Sequence, residues 1–247
     1  MNQIRYTLPL LALLAACSST PESNTTAEDV MNTETTAVTN DDWQPLLSGT
    51  SKDGWHQLNG QADYTVENGV VTGTTKQGEP NSFLATQKDY GNFILEYEVM
   101  VDTALNSGVQ IRSNQYPADT TITITNSEGE QQQREVQKDR VYGYQVEIDP
   151  SPRAYSGGIY EEARRGWLQD LSENEAARNA FRNGEWNKYR VEAMGDTIRT
   201  YINGVPAADL VDPEGAKSGF IALQVHSIPE GEGPYQVMWR NIRIKEM

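Results

Sequence analysis

The chain has 247 residues, room for one large β-domain or two small ones. Lys and Arg number 20 against 35 Asp and Glu, a formal net charge of -15. That balance argues against a nucleic-acid partner, since phosphate binding needs clustered cations, and reads as solubility in a wet, crowded compartment.

At the N-terminus Arg5 precedes the apolar run "YTLPLLALLAA", which is too short to span a bilayer as a mature helix. The run ends in Leu14-Ala15-Ala16-Cys17, a sequence that looks like a bacterial lipobox. Residues 1–16 are therefore expected to be a lipoprotein signal peptide and Cys17, the only cysteine, the lipidated first residue of the mature chain. Ser18 after the cysteine points to the outer membrane, so the expected location is the periplasm or outer membrane, with the membrane contacted only through the lipid. Residues 17–42 are rich in Ser, Thr, Asn and acidic residues and too poor in apolar ones to fold, as a tether would be.

From Trp43 to Met247 the pattern is β. "YTVENGVVTGT", "FILEYEVMV", "GVQIRS", "YGYQVEID", "NKYRVEAMGDTIRTYINGV", "GFIALQVHS" and "YQVMWRNIRI" are strand-like runs. Asn68-Gly69 and Asn203-Gly204 are hairpin signals, because both residue types accept positive φ. One helix is predicted in "SENEAARNAFRN", with Ser172 and Glu175 at capping-box spacing. Residues 127–140 are too polar for a core strand and suit a protruding loop or hairpin end. Many short strands with little helix imply an antiparallel two-sheet sandwich or jelly roll with long loops.

Alternation assigns faces. Phe93, Leu95, Tyr97, Val99 and Val101 share one face, which should be core. Gln110 and Arg112 oppose Val109 and Ile111; Gln145, Glu147 and Asp149 oppose Tyr144, Val146 and Ile148; Gln224 and His226 oppose Leu223 and Val225. These polar rows either face water, as half of any antiparallel sheet does, or converge on a groove. Lys188, Arg190 and Glu192 fit plain solvation. Of the two histidines, His56 follows a turn signal and reads as structural or surface, while His226 lies on a polar row and is the candidate for a site.

"NSFLATQKDYGNFILEYEVMVDTALNSGVQIRS", "VYGYQVEIDP", "SGGIYEEARRGWL", "WNKYRVEAMGDTIRTYINGV", "SGFIALQVHS" and "WRNIRI", in that order, resemble the bacterial 3-keto-disaccharide hydrolase domain family, whose members are also described as 3-keto-glucoside 1,2-lyases and 3-keto-2-hydroxyglucal hydratases. The resemblance spans about residues 43–247 and implies a concanavalin-like jelly roll acting on 3-keto sugars. A ketone at C3 acidifies the C2 proton, so a base can remove it and the C1 substituent leaves by elimination, with water adding back later. Such a site needs a base, a stabiliser for the enolate and an acid. The resemblance makes Glu147, with Asp149 or His226, the candidate base and acid, and Arg112 the enolate stabiliser. Asn106, Gln110, Gln145 and Gln224 are candidates to bond sugar hydroxyls. Tyr160 and Trp167 would stack on a sugar, with Glu161, Arg164 and Arg165 bonding hydroxyls; the alternative is that the charges pair internally and Trp167 is core. The family often has Glu before Gln along the "GYQVEID" strand, whereas Gln145 precedes Glu147 here, which leaves the base open. A divalent cation on Glu147, Asp149 and His226 is also open, although no compact ligand motif supports one. The alternative function is a non-catalytic carbohydrate-binding lipoprotein, since fold does not fix function.

Overall fold

The computed structural model describes residues 42–125 and 129–247. The expected signal peptide, Cys17 and all but the last residue of the 17–42 tether lie outside the described residues. In chain order the strands are β1 (Gln44–Pro45), β2 (Trp55–Asn59), β3 (Asp63–Glu67), β4 (Val70–Thr74), β5 (Ser82–Thr86), β6 (Phe93–Val101), β7 (Ser107–Gln115), β8 (Thr120–Thr125), β9 (Gln131–Val136), β10 (Val141–Ile148), β11 (Ile159–Glu162) and β12 (Gly166–Gln169). Helix α1 (Glu175–Arg178) precedes β13 (Asn187–Met194), β14 (Thr197–Ile202), β15 (Val205–Val211), β16 (Phe220–Val225) and β17 (Gln236–Glu246).

Two large antiparallel sheets form a jelly-roll sandwich. One is ordered β15-β14-β13-β6-β17-β4-β3, with β1 also paired to β17. The other is ordered β12-β11-β10-β7-β16-β5-β2. Between them lie the side chains that alternation assigned inward: Phe93, Leu95, Tyr97 and Val99 from β6, Val109 and Ile111 from β7, Ile221, Leu223 and Val225 from β16, all at most 1 % exposed. Asn68-Gly69 and Asn203-Gly204 take positive φ at the β3–β4 and β14–β15 turns, as their residue types allow. Residues 131–136 are the return strand of a two-stranded hairpin, β8–β9, outside both sheets.

Two expectations are corrected. The helix is a single turn, and its cap is Asn174 rather than Ser172: Asn174 Oδ1 accepts from Ala177 N–H at 3.1 Å, while the Ser172 hydroxyl donates to Asp170. Asn174 Nδ2 also donates to the Pro206 and Ala207 carbonyls, so tertiary bonds place the turn more than helix propensity does. The second correction concerns β7. Its register shifts against both neighbours, between Tyr142 and Tyr144 on one side and between Phe220 and Ala222 on the other, which inserts one extra residue around Arg112. Arg112 takes φ +46° and leaves the outer face. Its guanidinium, 1 % exposed as a residue, donates to Gly91 O (2.8 Å), Gly195 O (2.7 Å) and Asn92 Oδ1 (3.1 Å), tying β7 to the ends of β6 and β13.

The outer face of the β10–β7–β16 sheet is divided. Glu147, Gly108, Gln224, Phe83 and Leu58 form one row across neighbouring strands, and Gln145, Gln110, Ala222, Ala85 and His56 the next. Phe83, Ala85, Ala222, Phe220 and Val141, with Leu58 against them, make a second apolar cluster covering the β5–β2 end. The polar residues at the other end line a hollow.

Candidate active site

That hollow is a cavity of about 520 Å3 lined by Asn81, Asn106, Gln145, Glu147, Arg153, Tyr160, Glu162, Trp167, Gln224 and His226. A larger one, about 850 Å3, lies at the base of the β8–β9 hairpin, but its wall has no aromatic ring and no deeply buried carboxylate. The smaller cavity holds the groups suited to chemistry.

Glu147 sits near the end of β10, 3 % exposed. Asn106 Nδ2 donates to its Oε1 at 2.7 Å, Gln145 Nε2 to its Oε2 at 2.9 Å, and Arg153 Nη2 to Oε1 at 3.3 Å. Burial pushes the carboxyl above its ordinary range, and these donors hold it back. The Gln145 amide fits because Gly108 faces it: a Cβ there would lie 2.5 Å from the amide carbon. Gly143, at φ +133°, likewise leaves no room for a side chain against Ser113.

Arg153 comes from the turn after β10. Its guanidinium donates to Asp149 Oδ2 at 2.8 Å and lies 5.2 Å from the Trp167 ring centre and 5.3 Å from that of Tyr155. Asp149 does not reach the cavity wall. Its oxygens accept from Ser151 N–H, Arg153 and Tyr155 N–H, which outweigh burial and hold it below the usual carboxylate range. Asp149 therefore orients Arg153, a correction to its candidacy as acid or base.

On the edge hairpin, Tyr160 and Glu162 share the cavity side of β11, and Trp167 on β12 packs edge-on against Tyr160 at 5.4 Å. Burial foremost pushes Glu162 upward, with Arg140, its ion-pair partner, opposing. His226, just past β16, has Nδ1 2.8 Å from Ser227 O; with the proton on that nitrogen, Nε2 carries the free lone pair.

Seven expected site residues line the cavity together: Asn106, Gln145, Glu147, Tyr160, Trp167, Gln224 and His226. Six others do not. Arg112 is held at the far edge of the sandwich by the bulge in β7. Gln110 lies beneath Gln145, wholly buried, and donates to its Oε1. Glu161 must oppose Tyr160 on β11, and it faces inward to pair with Arg164 and Arg165. Arg165 continues to Asp212, whose Oδ2 also takes the Tyr144 hydroxyl at 2.6 Å. Arg164 stands over the Tyr142 ring at 5.8 Å. The internal-pairing alternative thus describes these three charges. Asp149 is the sixth.

Three lining residues went unread in the sequence. Glu162 was recoverable from its two-residue spacing to Tyr160. Arg153 and Asn81 stand outside any strand, where alternation carries no signal. Among the described residues no group of three or more His, Cys, Asp or Glu side chains is placed to hold a metal ion, so the Glu147, Asp149 and His226 set does not form one.

The fold is shared with solved structures. A candidate glycosyl hydrolase from Parabacteroides distasonis ATCC 8503 is 17 % identical with a TM-score of 0.53, over 85 % of this chain and 98 % of that one. A Bacillus subtilis protein of unknown function with a galectin-like fold is 9 % identical with a TM-score of 0.55, over 83 % and 94 %. Likeness at such identities is likeness of fold. No curated protein matches the chain. A protein-family model for the 3-keto-alpha-glucoside-1,2-lyase-like domain matches residues 42–245, and the chain belongs to that family.

Proposed function

We propose that the protein cleaves 3-keto-glycosides by eliminating the C1 substituent, with Glu147 as the base. A single observation supports this most directly: a buried carboxylate with its proton affinity raised stands in a polar cavity beside a histidine and an arginine. Glu147 takes the C2 proton, and the C2–H electrons delocalise onto the C3 ketone oxygen. Arg153 stabilises that enolate oxygen, the role expected of Arg112. Collapse of the enolate forms the C1–C2 double bond and breaks the bond from C1 to its substituent. His226, entering the step as an imidazolium with its Nδ1–H on Ser227 O, gives its Nε2 proton to the departing oxygen and is left with the Nε2 lone pair, and water can add across the double bond to complete hydrolysis. Gln224 and Asn106 bond sugar hydroxyls, and Tyr160 and Trp167 offer aromatic surface to the ring. The lipobox-like segment ending at Cys17 supports attachment of this domain to the outer membrane on its periplasmic side.

The test is to incubate the purified protein with a 3-keto-disaccharide and with the same sugar unoxidised, in D2O. Release of the C1 substituent and deuterium at C2 are expected from the keto sugar alone. Glu147→Gln should slow both by about 10²–10⁴-fold. Binding with neither turnover nor exchange would instead establish a carbohydrate-binding protein.

A further inference from the structure

Glu162 takes no part in the reaction as drawn, yet only one of its oxygens is occupied by the protein. Its side chain is 8 % exposed, and Oε1 is held by Arg140 Nη2. Oε2 has no hydrogen-bond partner among the described residues. Nor is it sealed in: the buried side-chain atoms left without a partner are Tyr97 Oη, Arg178 Nε, Gln224 Oε1 and Trp239 Nε1. Glu162 lines the 520 Å3 cavity and not the larger one, so Oε2 opens on the space that would hold the sugar. Paired with Arg140, the carboxylate is an acceptor only and can take nothing but a donor, such as a sugar hydroxyl.

Position decides which hydroxyl. β10 lies next to β11, and β7 separates it from β16. Across the sheet the order of groups is therefore His226 after β16, Glu147 on β10 and Glu162 on β11. In the reaction His226 serves the oxygen on C1 and Glu147 serves C2. C4 is the ring carbon opposite C1, so a ring with C1 toward His226 and C2 at Glu147 turns its 4-hydroxyl to the β11 wall. Glu162 pairs with Gly143, four residues before Glu147, which sets the two about 13 Å apart along the strand direction. One hexose ring between two carboxylates fills that span. The wall is also closed behind Glu162. Arg140 and Ala163 belong to the larger cavity and Glu162 to the smaller, so the Arg140–Glu162 pair is the partition between them. A sugar attached at O4 would have to break that pair.

We propose that Glu162 Oε2 accepts the 4-hydroxyl of the 3-keto ring and makes the site specific for 3-keto units whose O4 carries no further sugar. The inference rests on Glu147 as the base and His226 as the acid. An O4 engaged in an ether or glycosidic bond has no hydrogen to give, and it sets a second acceptor against the carboxylate. Units inside a 1,4-linked chain are thereby refused, and a terminal 3-keto unit is taken.

The test compares a 3-keto-disaccharide whose 3-keto ring has a free 4-hydroxyl with its 4-deoxy and 4-O-methyl analogues. For the unaltered protein kcat/KM should fall about 10–100-fold when the hydroxyl is lost, the worth of one hydrogen bond to a charged group. This arm needs no variant, so it stands whether or not changes at Glu162 disturb folding. In Glu162→Met the free and 4-deoxy sugars should be used equally; in Glu162→Gln, whose amide oxygen still accepts, part of the preference should return. Equal use of the three sugars by the unaltered protein overturns the proposal, as does an undiminished preference in Glu162→Met. Calorimetric binding to Glu147→Gln separates this contact from the reaction. The dissociation constants of the free and 4-deoxy sugars should differ by the same factor without turnover. That difference in a protein that turns over neither sugar would remove the elimination and uphold the contact, whereas equal constants would remove the contact.

Discussion

Glu147 must be buried enough to hold a proton and solvated enough to release one. Burial raises its proton affinity, and Asn106, Gln145 and Arg153 lower it again by bonding the ionised form. Among the described residues Arg153 is the only cation bonded to this carboxylate, and Asp149 and the Trp167 face fix its position. Arg153→Met should reduce kcat with a 3-keto-glycoside by about 10²–10³-fold, as expected when one preorganised oxyanion donor is lost. Removing a neighbouring positive charge disfavours the carboxylate, so the acid limb of the pH profile should also move to higher pH. A fall in kcat with an unmoved limb would mean that Arg153 does not act on Glu147. At this scale the alternation of β10 and β16 sufficed to find Gln145, Glu147, Gln224 and His226. The same rule applied to β11 selects Tyr160 and Glu162 and rejects Glu161. Arg153 was illegible because a turn has no periodicity, and only contact with Asp149 and Glu147 reveals its place.

Among the elements, β7 shows how one inserted residue redirects chemistry. A regular strand would carry Arg112 on the outer face with Gln110, and the bulge removes it. Nothing in "GVQIRS" announces a bulge, because Arg is no favoured residue at φ +46°. What holds that conformation is three hydrogen bonds made across the sandwich, which appear only once β6 and β13 are in place. Arg112→Met should therefore act on stability. It removes the partner of the Gly91 and Gly195 carbonyls, while Asn92 Oδ1 keeps the Gly195 N–H, at a cost of about 2 kcal/mol by urea titration. Turnover by the fraction still folded should stay within about twofold of the unaltered protein, since additive distant effects are small. A large loss of kcat with intact stability would return Arg112 to the site.

At the scale of the molecule, the two-sheet architecture was legible because core strands alternate. The apolar cluster on the outer face was not, because Phe83 and Ala222 look like ordinary inward residues on strands buried on both sides. The two sheets are further joined at one edge. Asp212, just after β15, accepts from Arg165 on the edge hairpin and from the Tyr144 hydroxyl on β10. Burial would raise its carboxyl, but the guanidinium and hydroxyl prevail and hold it at about 2. A carboxyl lower in the folded than the unfolded chain stabilises above its unfolded value and loses that contribution as pH falls through the folded one. Against an unfolded value of about 4, the contribution is about 2 kcal/mol at neutral pH. Glu147 and Glu162 work in the opposite sense: burial raises both, so they favour the fold in acid and weaken it as pH rises. Overall stability against pH thus mixes opposing trends, but the difference between the unaltered protein and Asp212→Asn cancels the glutamates. That difference, from urea midpoints, should be about 2 kcal/mol at pH 7 and shrink steadily from about pH 4 downward. If it is as large at pH 3 as at pH 7, the Arg165–Asp212 contact is not the electrostatic clamp between the sheets.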